Sequence, residues 1–208
     1  MVKIKICGLR SPEHARVAAV QGVDAIGLNF HPASSRCVDI TTAREICRVL
    51  PPFVSTVGLF VDASVAVIES VLERVPLQML QFHGDESESD CERWGRPYLK
   101  ALRMRPGLDV AAALESYPGA VGILLDSYQP GVPGGTGSTF DWARIPRPSN
   151  RALVLAGGLN AENVGEAISR VTPWAVDVSG GVESRPGVKD PVAIERFVRA
   201  VRASSLES

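Results

Sequence analysis

Short apolar runs recur along the whole chain, and most are followed by a stretch with helical spacing. The runs fall at residues 2–7, 24–29, 54–60, 77–82, 98–102, 121–126, 151–155 and 174–178. Most are rich in Val, Ile and Leu without clean alternation, the pattern of parallel strands covered on both faces. Between them, "SPEHARVAAVQG" opens with Ser11 at the N-cap and Pro12 at the first helical position, and Gly22 closes it. "TTAREICRVLPP" sets Ala43, Ile46, Cys47 and Leu50 on one helical stripe and stops at Pro51. "NAENVGEAISRV" repeats that spacing at Val164, Ala167, Ile168 and Val171, behind Asn160 as a cap. "DPVAIERFVRAV" starts at Asp190 and Pro191 and turns Ile194, Phe197, Val198 and Val201 inward. Residues 86–95 and 108–116 fit a helix loosely, and 139–145 suggest only a stub.

Eight strands alternating with helices, and no linker, predict one α/β domain over residues 1–208. A closed (β/α)8 barrel (a TIM barrel) and an open doubly wound sheet both satisfy that order. Eight nearly equal repeats favour the barrel, although the length is near its lower limit of roughly 200 residues. The turn after the first strand reads "CGLRSPE", which carries no dinucleotide-binding glycine pattern.

In a barrel, the chemistry collects at the C-terminal ends of the strands. Those ends supply Cys7, "NFHPASSR" with Arg36, "QFHG" with His83, Asp126, "AGGLN" and "DVSGG". Gly157–Gly158 and Ser179–Gly180–Gly181 sit on neighbouring strand ends, where backbone N–H groups and a helix N-terminus suit a phosphate. The plainer reading is tight turns. Lys3, Lys5 and Cys7 share one face of their strand, which places two lysines inside the barrel with Asp126 or Asp177 as partner. Their charge is expected to lower the Cys7 pKa, giving a thiolate that acts as base or nucleophile. Asp126 is either a partly desolvated proton donor or simply a cap or lysine partner. The planar fork of Arg36 suits a carboxylate. "GVPGGTG", behind Asp126, is no Walker motif and reads as a lid that closes over a ligand.

Composition narrows the field. Hydrophobic residues make up 45% and charged residues 22%, with a formal net charge of −1, as in an ordinary globular protein. Basic residues are scattered, so no nucleic-acid partner is expected. No run approaches ~20 apolar residues, so no membrane span is expected, and the N-terminus reads as a strand and not as a signal peptide. Cys7, Cys37, Cys47 and Cys91 match no zinc or redox spacing, and the three histidines form no HExxH motif. The expectation is a cytoplasmic, reduced protein, monomer or homodimer, with no metal and no organic cofactor.

Taken in order, "KIKICGLR", "GLNFHPASSRCV", "VGLFVD", "LQFHG", "LLDS", "GGTGSTFDW", "LAGGLNAENV" and "DVSGGVESRPGVKD" resemble the phosphoribosylanthranilate isomerase family over nearly the whole chain. The resemblance implies a small (β/α)8 barrel in tryptophan biosynthesis, a small phosphosugar substrate, and an Amadori rearrangement of an aminoaldose to an aminoketose. It implies Cys7 as general base, Asp126 as general acid, and Arg36 on the anthranilate carboxylate. It also implies that Gly157, Gly158, Ser179, Gly180 and Gly181 hold the phosphate. The family commonly reads serine-serine-glycine after the last strand, where this chain has Ser179-Gly180-Gly181. The rival readings are the ring-opening isomerase of histidine biosynthesis or a bifunctional enzyme doing both reactions, which typically carry aspartate at the position of Cys7, and a non-catalytic phosphosugar-binding barrel.

Overall fold

The eight apolar runs pair edge to edge, all parallel, and the last closes on the first. They are β1 (Lys3–Cys7), β2 (Ala25–Asn29), β3 (Ser55–Phe60), β4 (Met79–Phe82), β5 (Tyr98–Arg103), β6 (Gly122–Asp126), β7 (Leu153–Leu155) and β8 (Ala175–Val178), in barrel order β1 to β8. The computed structural model describes residues 1–128, 139–147 and 149–204. Closure rests on β1–β8 pairing, with Lys3 opposite Ala175 and Lys5 opposite Asp177. The (β/α)8 barrel expected from the repeat pattern is the architecture observed.

Period-two alternation divides each strand between two cores. Ile4, Ile6, Ile26, Leu28, Val176 and Val178 pack outward with helix residues such as Ala15, Ile46, Ile168 and Phe197 in one large buried cluster. Leu99, Ala101, Leu124, Val154, Ala156 and Ala175 form a separate small cluster built from strands and strand ends, which fills the barrel on its β5 to β8 side. Polar groups also enter the barrel, Lys5 from β1, Gln81 from β4 and Asp177 from β8, all buried.

The helices are α1 (Pro12–Val20), α2 (Ile40–Arg48), α3 (Val65–Leu72), α4 (Glu88–Glu92), α5 (Val110–Glu115), α6 (Val164–Val171) and α7 (Pro191–Ser204). Ser11 caps α1 by accepting from the His14 N–H, and Asp39 caps α2 by accepting from Thr42. Each such cap is worth about 1 kcal/mol. The stub expected over 139–145 is a 3₁₀ turn, Trp142–Arg144. The sequence pattern names no element for the segment that forms α3. The N-cap of α6 is Asn163 rather than Asn160. Asn160 instead heads the preceding turn, where its side chain accepts from the N–H groups of Glu162 and Asn163. The expectation of two interior lysines also needs correcting. Lys3 is exposed at the N-terminal rim and pairs with Asp24 at 2.8 Å, because one residue pair lower on the strand is already outside the barrel floor. Most of the segment read as a lid behind Asp126 lies outside the described residues.

Past β8 the chain does not go straight into α7. A 3₁₀ turn, Gly180–Val182, leads into an antiparallel pair, β9 (Glu183–Arg185) and β10 (Val188–Lys189), with Lys189 opposite Glu183.

Candidate active site

A cavity of about 200 Å³ opens at the C-terminal end of the strands. Cys7, Arg36, Asp126, Gly157, Gly158, Ser179, Gly180 and Gly181 all line it, together with Gln81, His83 and Asp177. The topology therefore brings every expected site residue to one cup.

Cys7 ends β1, buried, with Lys5 one alternation below it. The Lys5 ammonium meets the Asp177 carboxylate at 2.9 Å, the cross-strand neighbour in the barrel register, so Asp177 is its partner and Asp126 is not. Burial pushes the Cys7 thiol up, and Lys5 pulls against it without winning. The expected lowering is thus overturned: the cavity wall removes water from the sulfur, and Asp177 offsets part of the nearby cation. Lys5 itself is pushed down by burial but raised overall by Asp177, which keeps it charged. Gly27, across from Cys7 on β2, makes this crowding possible. A Cβ there would sit 2.8 Å from Sγ and 3.2 Å from the Lys5 Nζ.

Asp126 ends β6 buried, with both oxygens engaged. Oδ1 accepts from the Ser127 N–H at 2.8 Å, and Oδ2 lies 3.1 Å from Nε2 of His83. Nδ1 of His83 lies 2.8 Å from the Gln81 amide nitrogen. With that NH₂ donating to Nδ1, the ring proton sits on Nε2 and points at Asp126. The Gln81 oxygen is then buried without a partner. Gly157 lets the next strand end close over this acid. Its φ is +82°, and a Cβ would collide with the Ser127 backbone and press on Asp126.

Gly157 and Gly158 make no backbone N–H donation to the described residues. Their turn is fixed from behind: the Asn160 N–H donates to Asn163 Oδ1, and the Asn163 amide donates to the Gly158 carbonyl, each at 2.9 Å. Ser179 donates its hydroxyl to the Cys7 carbonyl at 3.0 Å, tying the two strand ends together.

Arg36 is in the cup but is not idle. Its Nε and Nη2 donate to the two Glu183 oxygens, each at 2.8 Å. Lys189 donates to Glu183 Oε1 at 2.8 Å. Burial pushes the Glu183 carboxyl up, and Arg36 and Lys189 together more than reverse it, leaving it below its ordinary value. Sequence reasoning missed Gln81, Glu183 and Lys189 as site-supporting residues. Gln81 could have been found by stepping two residues back from His83 along β4, since they share a face. Among the described residues, no three His, Cys, Asp or Glu side chains are grouped to hold a metal ion, and no helix is long and apolar enough to cross a membrane.

Comparison with known proteins agrees with this geometry. The family model described as N-(5'phosphoribosyl)anthranilate (PRA) isomerase matches residues 4–200. A relative from Pseudomonas paraeruginosa named N-(5'-phosphoribosyl)anthranilate isomerase is 58% identical over 202 residues, covering 97% of this chain and 96% of its own. The crystal structure of the phosphoribosyl anthranilate isomerase from Thermotoga maritima superposes with a TM-score of 0.90 at 40% identity, covering 98% of this chain and 100% of its own. A second structure of such an isomerase, in complex with reduced 1-(o-carboxyphenylamino)-1-deoxyribulose 5-phosphate, gives a TM-score of 0.83 at 38% identity, with the same coverage.

Proposed function

The chain belongs to the N-(5'-phosphoribosyl)anthranilate isomerase family, and we propose that Cys7 and Asp126 perform the proton transfers of its reaction. It is an aldose–ketose isomerase of tryptophan biosynthesis, converting N-(5'-phosphoribosyl)anthranilate to the 1-(2-carboxyphenylamino)-1-deoxyribulose 5-phosphate by an Amadori rearrangement. Membership of this family sets aside the dedicated histidine-biosynthesis isomerase and the non-catalytic barrel.

Asp126, as the carboxylic acid, gives its proton to the furanose ring oxygen. The C1–O bond breaks toward that oxygen, and the anilino nitrogen lone pair forms the C1=N iminium. The Cys7 thiolate then removes the C2 proton. The C–H pair becomes the C1=C2 bond, and the iminium pair returns to nitrogen, giving the enolamine. Loss of the enol O–H proton and protonation at C1 yield the ketone. Acid and base must reach the sugar from different sides. The observation that carries this reading is that Cys7 and Asp126, on β1 and β6, line the same cavity.

The Gln81–His83–Asp126 chain suits an acid that changes state. With the amide as described, His83 donates to a carboxylate, which is Asp126 after it has given up its proton. Turning the amide over would place its orphaned oxygen on an Nδ1–H. Nε2 would then accept from a protonated Asp126, which is the acid before the reaction. Arg36 takes the substrate carboxylate, and the Gly157–Gly158 and Ser179–Gly180–Gly181 turns take the phosphate. The N–H groups of Gly157 and Gly158, which find no acceptor among the described residues, support the second assignment.

Cys7→Ala and Asp126→Asn test the core of the proposal in a fluorescence assay of substrate loss. Each is expected to lose nearly all turnover while keeping the melting temperature and affinity for reduced product. Turnover like the wild type in either variant would remove that residue from its role. Four free cysteines, one of them needed as a thiolate, support a cytoplasmic location. The chain is a monomer or homodimer. Met1, Phe53 and Trp174, each shortly before a barrel strand, are exposed, with Phe53 fully so, and exposed apolar side chains at that end favour the homodimer.

A further inference from the structure

We infer that Glu183 is the positioning residue of the carboxylate clamp: it holds one edge of the Arg36 guanidinium so that the other edge faces the substrate. The inference rests on the proposed role of Arg36 and extends it. An arginine offers five N–H donors in a planar fork. Glu183 takes the Nε–H and one Nη2–H, at 2.8 Å each. That leaves both Nη1 hydrogens and the second Nη2 hydrogen, an end-on fork of the width a carboxylate accepts.

A loop arginine left to itself samples many rotamers and gains little from a single ligand contact. Here the orientation is imposed from below. Glu183 is buried, and its Oε1 also accepts from Lys189, whose side chain is fully buried. Lys189 donates further to the Ser179 carbonyl at 3.0 Å and lies 3.3 Å from its hydroxyl. The β9–β10 pairing sets Lys189 opposite Glu183, so the hairpin exists at the point where the clamp needs a base. One continuous chain of charge-assisted bonds thus links Arg36, at the carboxylate end, to Ser179, at the phosphate end. Neither Glu183 nor Lys189 lines the cavity, whereas Arg36 and Ser179 do. They act through Arg36 and Ser179.

A different role is a plug: Glu183 would occupy Arg36 at rest, and the substrate carboxylate would displace it. The two predict opposite signs. The test compares two probes by calorimetry: reduced 1-(o-carboxyphenylamino)-1-deoxyribulose 5-phosphate, and the same compound lacking the aryl carboxylate. For Glu183→Gln, positioning predicts about tenfold or greater weakening for the first probe and less than about twofold change for the second. In turnover, KM should rise more than kcat falls. Removing one member of a buried charge pair can also unfold a protein. The double variant Glu183→Gln/Lys189→Met removes both charges, and it must show the same selective loss. Equal weakening of both probes means a merely structural role and overturns the inference. So does tighter binding of the first probe, which is the plug, and so does no change. Arg36→Ala serves as the reference. If it fails to discriminate between the probes, the assignment of Arg36 itself fails. If it discriminates and Glu183→Gln does not, only the role of Glu183 is lost.

Discussion

Replacing Lys5 by Met separates what the buried cation does for folding from what it does for the thiolate. Lys5 and Asp177 meet at 2.9 Å with side chains almost wholly buried. Taking away one partner leaves the other charge without compensation, which costs about 3–5 kcal/mol. For a chain of this length, each kcal/mol moves the melting temperature by about 2–4 °C. The catalytic effect follows from a second distance. Cys7 Sγ and Lys5 Nζ lie 2.8 Å and 3.2 Å from one common point above Gly27, so they are at most 6.0 Å apart, the sum of the two. At that separation and an effective dielectric constant of about 20, the attraction is about 3 kcal/mol, or roughly a hundredfold in thiolate population. Asp177 taking up a proton returns part of this. The expected loss in kcat/KM near neutral pH is therefore about ten- to a hundredfold.

The pH profile supplies a signature. In the proposed mechanism, active enzyme has Cys7 without its proton and Asp126 with its own. Such a pair gives a plateau between two titrations and a fall above the higher one. Because burial holds the Cys7 thiol above its ordinary 9.0, the wild-type alkaline fall should begin above that value. Lys5→Met should lower the plateau and move the fall further up. The double variant Lys5→Met/Asp177→Asn should regain most of the stability, since no lone charge remains, but not the activity. Full activity in the double variant, or an unmoved alkaline limb in Lys5→Met, would refute the reasoning.

Two further outcomes can be checked with simple measurements. Gly27→Ala should lower kcat about tenfold or more while costing about 1–3 kcal/mol of stability, because the new methyl presses on both the sulfur and the ammonium; normal kcat would show that their spacing is immaterial. Glu183 titrates below its ordinary 4.5 in the folded chain, so its stabilisation is complete above that range and disappears as pH falls through the folded value. The melting temperature should therefore drop on acidification less steeply in Glu183→Gln/Lys189→Met than in the wild type, and superimposable acid limbs would contradict this.

The strands were legible because parallel barrel strands bury both faces, and that leaves runs of Val, Ile and Leu. Helices α2, α6 and α7 were legible through one apolar stripe each, and α1 through Ser11 and Pro12 at its start and Gly22 at its end. The α3 segment was not, because it leaves Val65 and Val67 38% and 44% exposed, so its apolar residues do not fall on one side. Asn160 and Asn163 are both good caps three residues apart, and local sequence cannot choose between them. Cys7 and Asp126 at strand ends, and Arg36 on the loop after β2, followed from where the apolar runs stop. The sign of the Cys7 shift did not follow, since it depends on how much water the cavity wall excludes. Glu183 and Lys189 lie in a stretch, "VESRPGVKD", whose spacing predicts no element; only the hairpin register sets them opposite each other beside Arg36.

The long-range bonds of this cup join the two extremities of the polypeptide. Lys5 meets Asp177, Ser179 meets the Cys7 carbonyl, and Arg36 meets Glu183, across sequence separations of 172, 172 and 147 residues. During synthesis, the ribosome has made four-fifths of the molecule before any of these partners exists. A nascent or clipped chain that stops short of β8 therefore carries Cys7 and Asp126 but neither the counter-ion of Lys5 nor the carboxylate partner of Arg36. Forms that stop before the last strand and its hairpin are therefore expected to lack activity.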